Sequence, residues 1–139
     1  MISRLPLLML TFLLVACKGA VKPEDISKIN GYWEIEKVIL PDGQTKDYKI
    51  NTTIDYFKMD GTQGFRKKVM PQVDGKYLDA GTSENIQVSF KDGDAYLNYD
   101  SGYAKWKEKI ISVSDQELVF KNDNNLEYHY KKPVPFSVK

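Results

Sequence analysis

From Glu84 to Asp100 the chain reads ENIQVSFKDGDAYLNYD, two alternating runs hinged on Asp92-Gly93. Asp-Gly favours a two-residue turn, which sets Lys91 opposite Asp94, Phe90 opposite Ala95, Val88 opposite Leu97 and Ile86 opposite Tyr99. Ile86, Val88, Phe90, Ala95, Leu97 and Tyr99 then share an apolar face, and Gln87, Ser89, Lys91, Asp94, Tyr96 and Asn98 a polar one. A strand pair with one dry and one wet face is the wall of a sandwich or barrel. Similar runs of about five to nine residues, rich in Val, Ile, Thr, Tyr, Phe and Trp, lie between turn signals at 41–43, 60–61, 74–75, 100–102, 114–115 and 122–125. No three-turn amphipathic helix fits after Lys28. The pattern predicts an all-β, antiparallel, up-and-down barrel of about 8 to 10 short strands. Ahead of it, Pro23 with Glu24 and Asp25 behind it marks a short helical turn.

The first twenty residues follow another pattern. Arg4 precedes an apolar run from Leu5 to Ala16 that is too short to span a bilayer as a helix, which takes about 20 residues. A charged start, an apolar stretch and small residues form a secretory leader. Leu14-Val15-Ala16-Cys17 resembles the lipobox of bacterial lipoproteins. That likeness implies cleavage before Cys17, the only cysteine, and acylation of its sulfur and its new amine. The expected division is a signal peptide over 1–16, a lipidated tether and helical turn over 17–28, and a barrel over 29–139.

At the start of the first strand, Gly31-Tyr32-Trp33 resembles the Gly-x-Trp signature of the lipocalins and of the small lipocalin-like domains of Gram-negative lipoproteins. DYFKMDGT, residues 55–62, is similar to a hairpin of such domains. The resemblance implies a Trp33 packed across the closed end of the barrel with a basic residue over its indole, Lys131 or Lys132. Lys131 is the expected member of the signature with Gly31 and Trp33. The domain, about 110 residues without a disulfide, is a shortened barrel that either fills itself with side chains or holds one small ligand.

Charge narrows the partners. Loss of Arg4 with the leader takes the 20 basic residues to 19, equal to the 19 acidic ones. A balanced chain lacks the basic excess that nucleic acid requires. Attachment to a membrane then rests on the lipid at Cys17. An enzyme is not expected, and neither is a cofactor or metal. His129 is the lone histidine, on the face opposite Tyr128 and Tyr130, and no glycine-rich phosphate loop is present.

The basic run FRKKVMP, residues 65–71, carries the remaining candidate chemistry. A two-residue turn at Asp60-Gly61 would pair Met59 with Thr62, Phe57 with Gly64 and Asp55 with Arg66. This places a charged pair on a face shared with Phe57 and Met59. Arg66, Asp55, Phe57 and Met59 are therefore the candidate ligand site, in which the Arg66 guanidinium would exchange Asp55 for a ligand carboxylate. The plainer alternative is a solvated cross-strand pair. The expected function is an outer-membrane-anchored protein that binds a small apolar or amphipathic molecule. The alternative is a non-enzymatic envelope interaction or assembly protein with a filled barrel.

Overall fold

The computed structural model describes residues 20–134, so the leader, the lipobox and Cys17 lie outside the described residues. A 3-10 helix, Pro23–Ile29, is followed by nine strands: β1 Gly31–Ile39, β2 Thr45–Asp47, β3 Ile54–Asp60, β4 Gln63–Pro71, β5 Tyr77–Lys91, β6 Asp94–Asp100, β7 Lys105–Val113, β8 Glu117–Asn122 and β9 Glu127–Lys131. Strands β3 to β9 each pair antiparallel with the next, and β1 joins β3 on one edge and β9 on the other. Eight strands therefore close into a barrel, and β2 is an extra strand on β1. The fold is the all-β, antiparallel barrel that the alternation predicts.

Strand β1 needs a bulge to serve this closure. Ile35 pairs with Tyr130 and Lys37 with His129, so Glu36 is the extra residue. The bulge turns Val38 inward after Trp33 and Ile35, three apolar positions that strict alternation would not align. On the other edge, β3 takes Gly31–Trp33 and β2 takes Lys37–Ile39. Residues 48–53 cross the gap between them. Asn51 Nδ2 donates to the Ile35 carbonyl at 3.0 Å and the Tyr48 amide to the Glu36 carbonyl at 2.9 Å. These bonds satisfy backbone groups that a barrel edge would otherwise leave open.

Because β1 starts where β3 ends, the helix and the turns at 61–62, 92–93 and 114–116 lie at one end. Ile26 and Ile29 of the helix are buried in the same cluster as Trp33, Phe57, Leu97, Leu118 and Phe120. Asp25 holds the helix start by accepting the Lys22 amide at 2.9 Å. Asn30 then clamps the helix exit to β3, accepting the Met59 amide and donating to the Met59 carbonyl. This half of the barrel is filled by its own side chains.

The hairpin at 92–93 has the register that its alternation predicts. Asp92 and Gly93 both adopt positive φ, 53° and 82°, as a type I′ turn demands. The hairpin at 60–61 does not. Asp60 pairs with Gln63, Phe57 with Arg66 and Asp55 with Lys68, so the turn residues are Gly61 and Thr62. Only Gly61 has positive φ, at 60°, which suits a turn with glycine at its first central position. The expected Asp55–Arg66 pair is therefore wrong by a two-residue slide. A slide of two leaves every side chain on its original face. Arg66 consequently still points inward with Asp55, Phe57 and Met59. Gly64 comes to lie opposite Met59, where a Cβ would stand 2.7 Å from Met59 Sδ.

Candidate functional site

The closed end is organised around Trp33. Its indole nitrogen donates to the Ile29 carbonyl at 2.8 Å, and the side chain is fully buried. The cation over the ring is Lys132, with Nζ 3.8 Å from the ring centroid. Lys131 is not that residue. It sits opposite Glu34 on the outer face, 3.6 Å from its carboxylate. Alternation explains the correction, since Tyr130 points inward and Lys131 outward, and the chain brings Lys132 back over the indole once β9 has ended. Gly31 has φ +117°, and a Cβ there would lie 3.3 Å from Lys132 Nζ. The signature glycine thus serves both backbone and lysine.

Above this plug the interior becomes charged. Arg66 lies across from Glu84, with Nε 3.2 Å from Glu84 Oε2 and Nη1 3.8 Å from Glu108 Oε1. Its guanidinium stacks over the Tyr99 ring, 4.4 Å from the centroid. Glu108 is buried, and its Oε1 and the Tyr99 hydroxyl have no hydrogen-bond partner. Burial pushes the Glu108 carboxyl up from its ordinary value, against the opposing pull of the Arg66 charge. Burial, reinforced by Glu108, pushes the Tyr99 hydroxyl up as well.

Asp55, also buried, is held by Lys68 from the facing strand, Nζ to Oδ1 2.6 Å. This pair borders a cavity of about 350 Å³ that opens between β1, β3 and residues 48–53. Ile35, Val38, Tyr48, Tyr128 and Tyr130 supply much of its wall. Asp55 and Lys68 are the only charged side chains in its lining among the described residues. Phe57 and Met59, two of the four expected ligand contacts, lie in the packed core instead. His129 faces outward between Glu127, 2.8 Å away, and Glu117, 3.6 Å away. No group of three or more potential metal ligands occurs among the described residues.

Sequence reasoning therefore brought Asp55 and Arg66 to one interior but missed Lys68, Glu84, Glu108, Tyr99 and Tyr130. A signal was present. Glu84 shares a face with Ile86 and Val88, and Glu108 shares one with Ile110, so each places a carboxylate in line with apolar residues. Only the closed barrel shows that these faces converge on Arg66.

Glu108 gives a pH prediction. Its folded pKa is raised, so the folded state holds the proton more tightly than the unfolded chain, and the stability from this group falls as pH rises from about 4.5 through the raised value. Relative to Glu108→Gln, the parent is expected to lose stability over that window in urea titrations at stepped pH. Parallel stability curves for the two proteins would contradict it.

Residues 29–120 match the family of the lipocalin-like domain, and the chain belongs to that family. Among solved structures it is similar to a lipocalin-like protein from Bacteroides uniformis ATCC 8492, with 15% identity over 76% of this chain and 98% of that one and a TM-score of 0.49. It is also similar to an uncharacterized protein from Bacteroides eggerthii DSM 20697, with 12% identity over 75% and 98% of the two chains and a TM-score of 0.46. No curated protein matches the chain.

Proposed function

We propose that this chain is a lipid-anchored, non-enzymatic binding protein of the Gram-negative envelope, held at the outer membrane, that takes a small amphipathic molecule into the barrel mouth. The observation that carries the binding is the 350 Å³ cavity, walled by aliphatic, tyrosine and small polar side chains, with a buried Asp55 paired to a half-exposed Lys68. Its size falls in the range of small-molecule sites, which run from about 300 to 1,000 Å³. The packed lower half restricts the ligand to the mouth, so a short chain with one polar end fits better than a long lipid.

The anchor reading rests on the leader and on Leu14-Val15-Ala16-Cys17. Only Lys18 to Lys22 separate Cys17 from the helix at the closed end, about 20 Å of extended chain at most. An acyl anchor so close would keep the closed end near the bilayer and the mouth away from it, so ligand would arrive from the aqueous side. Cys17→Ser is expected to abolish incorporation of labelled fatty acid and leave an uncleaved precursor. Incorporation by the serine variant would remove the anchor from the proposal.

Binding is tested by titrating the protein with N-phenyl-1-naphthylamine and displacing the probe with alkyl compounds of four to eight carbons. Saturable enhancement and competitive displacement are expected. Failure of every compound to bind would favour the second reading, a protein partner. That reading draws on the β4–β5 hairpin, where Val73 is 76% and Leu78 52% exposed.

A further inference from the structure

The geometry points to a cation or neutral hydrogen-bond donor, not a carboxylate, as the polar end of the ligand, bound by Asp55 after Lys68 swings out of the mouth. This inference rests on the reading of the mouth cavity as a binding site and names the ligand class that site takes.

Asp55 and Lys68 are unequal partners. Asp55 is anchored on β3 with 2% exposure, and Lys68 reaches it from β4 through a flexible stem whose side chain is 41% exposed. A buried carboxylate cannot be left without a partner, because taking it out of water is paid back only by a nearby charge or donor. The lysine faces no such constraint, since its ammonium regains full hydration and rotamer freedom when it leaves. Lys68 therefore behaves as an internal occupant of the position that a ligand ammonium or hydroxyl would take, its alkyl tail lying along Ile35, Val38 and Tyr48.

Charge counting excludes the opposite choice. The interior holds three carboxylates, Asp55, Glu84 and Glu108, against two cations, Arg66 and Lys68. Exchange of Lys68 for a ligand cation preserves that balance. A ligand carboxylate would add a fourth acid. To reach Arg66 it would have to displace Glu84, which is directly opposite on β5, or Glu108. Both are mostly buried and have no route to solvent comparable to that of Lys68. Bulk electrostatics does not supply the preference, because the chain as a whole is close to neutral.

The test is calorimetric titration of protein purified from cells expressing the full chain and held in nanodiscs, with octylamine, octanol and octanoate as probes and empty nanodiscs as reference. Octylamine is expected to bind at least about tenfold more tightly than octanoate, the ratio that corresponds to about 1.4 kcal/mol. Lys68→Ala removes the internal competitor and is expected to tighten octylamine and octanol several-fold while octanoate does not tighten, an effect that a purely structural ion pair would not produce. Asp55→Asn is expected to erase the amine preference. If that variant does not fold, the probe ratio in the parent and the response of Lys68→Ala decide the matter. Octanoate binding as tightly as octylamine, or weaker octylamine binding by Lys68→Ala, overturns the inference and leaves the binding reading intact. No binding by any of the three probes overturns both.

Discussion

Arg66→Ala is expected to lower the stability of the barrel by about 3 to 5 kcal/mol, the cost of removing one partner from a buried ionic network. The guanidinium is the shared counter-charge of Glu84 and Glu108, and without it two largely buried carboxylates lose their cation. Urea denaturation at neutral pH measures the loss. The penalty should shrink on acidification, because protonating the two carboxylates removes the buried negative charge that the missing arginine had balanced. A triple variant, Arg66→Met with Glu84→Gln and Glu108→Gln, should recover much of the stability, since it removes the charges together. A small loss in the single variant would show that water or backbone relaxation compensates the carboxylates. The network would then not be a structural unit.

Trp33→Ala is expected to cost a similar 3 to 5 kcal/mol for a different reason. It removes the largest fully buried side chain and opens a cavity between the helix and the barrel floor. It also deprives the Ile29 carbonyl of its donor and Lys132 of the ring beneath it. Burial already lowers the Lys132 pKa, so loss of the aromatic face leaves that ammonium less well placed. Trp33→Phe should retain part of the packing and fall between the two. A near-neutral change in denaturation midpoint for Trp33→Ala would mean that the helix closes the barrel without the indole.

Two Asp-Gly dipeptides show where local chemistry stops being sufficient. At 92–93 the dipeptide is the turn itself, and the flanking alternation allows the pairs to be written down residue by residue. At 60–61 the same dipeptide straddles the strand end and the turn, and the pairing slides by two. Hydrophobic alternation cannot detect this, because a slide of two preserves both faces. Cross-strand packing settled the register, with Gly64 rather than Thr62 opposite Met59. The slide moved Lys68 onto Asp55 and left Arg66 to the acids of β5 and β7.

The cation over Trp33 was legible as one of two adjacent lysines, and strand alternation would favour Lys132 once the inward position of Tyr130 was known. That position depends on where β9 ends, a boundary that local composition does not mark in a run such as EYHYKKP. Glu84 and Glu108 were legible as acids on apolar faces. Their common purpose was not.

By itself the sequence determined the all-β class, the turn spacing, the short helix and the inward face of the 84–100 hairpin, because these follow from alternation and from residues whose conformational preferences act within a few positions. Only the tertiary structure decided that three carboxylates and two cations meet in one interior, which lysine covers Trp33, and which half of the barrel is left open. Those outcomes depend on contacts between residues far apart in the chain. There, burial makes an unpaired charge so costly that partners are chosen by the closed barrel and not by their neighbours in sequence.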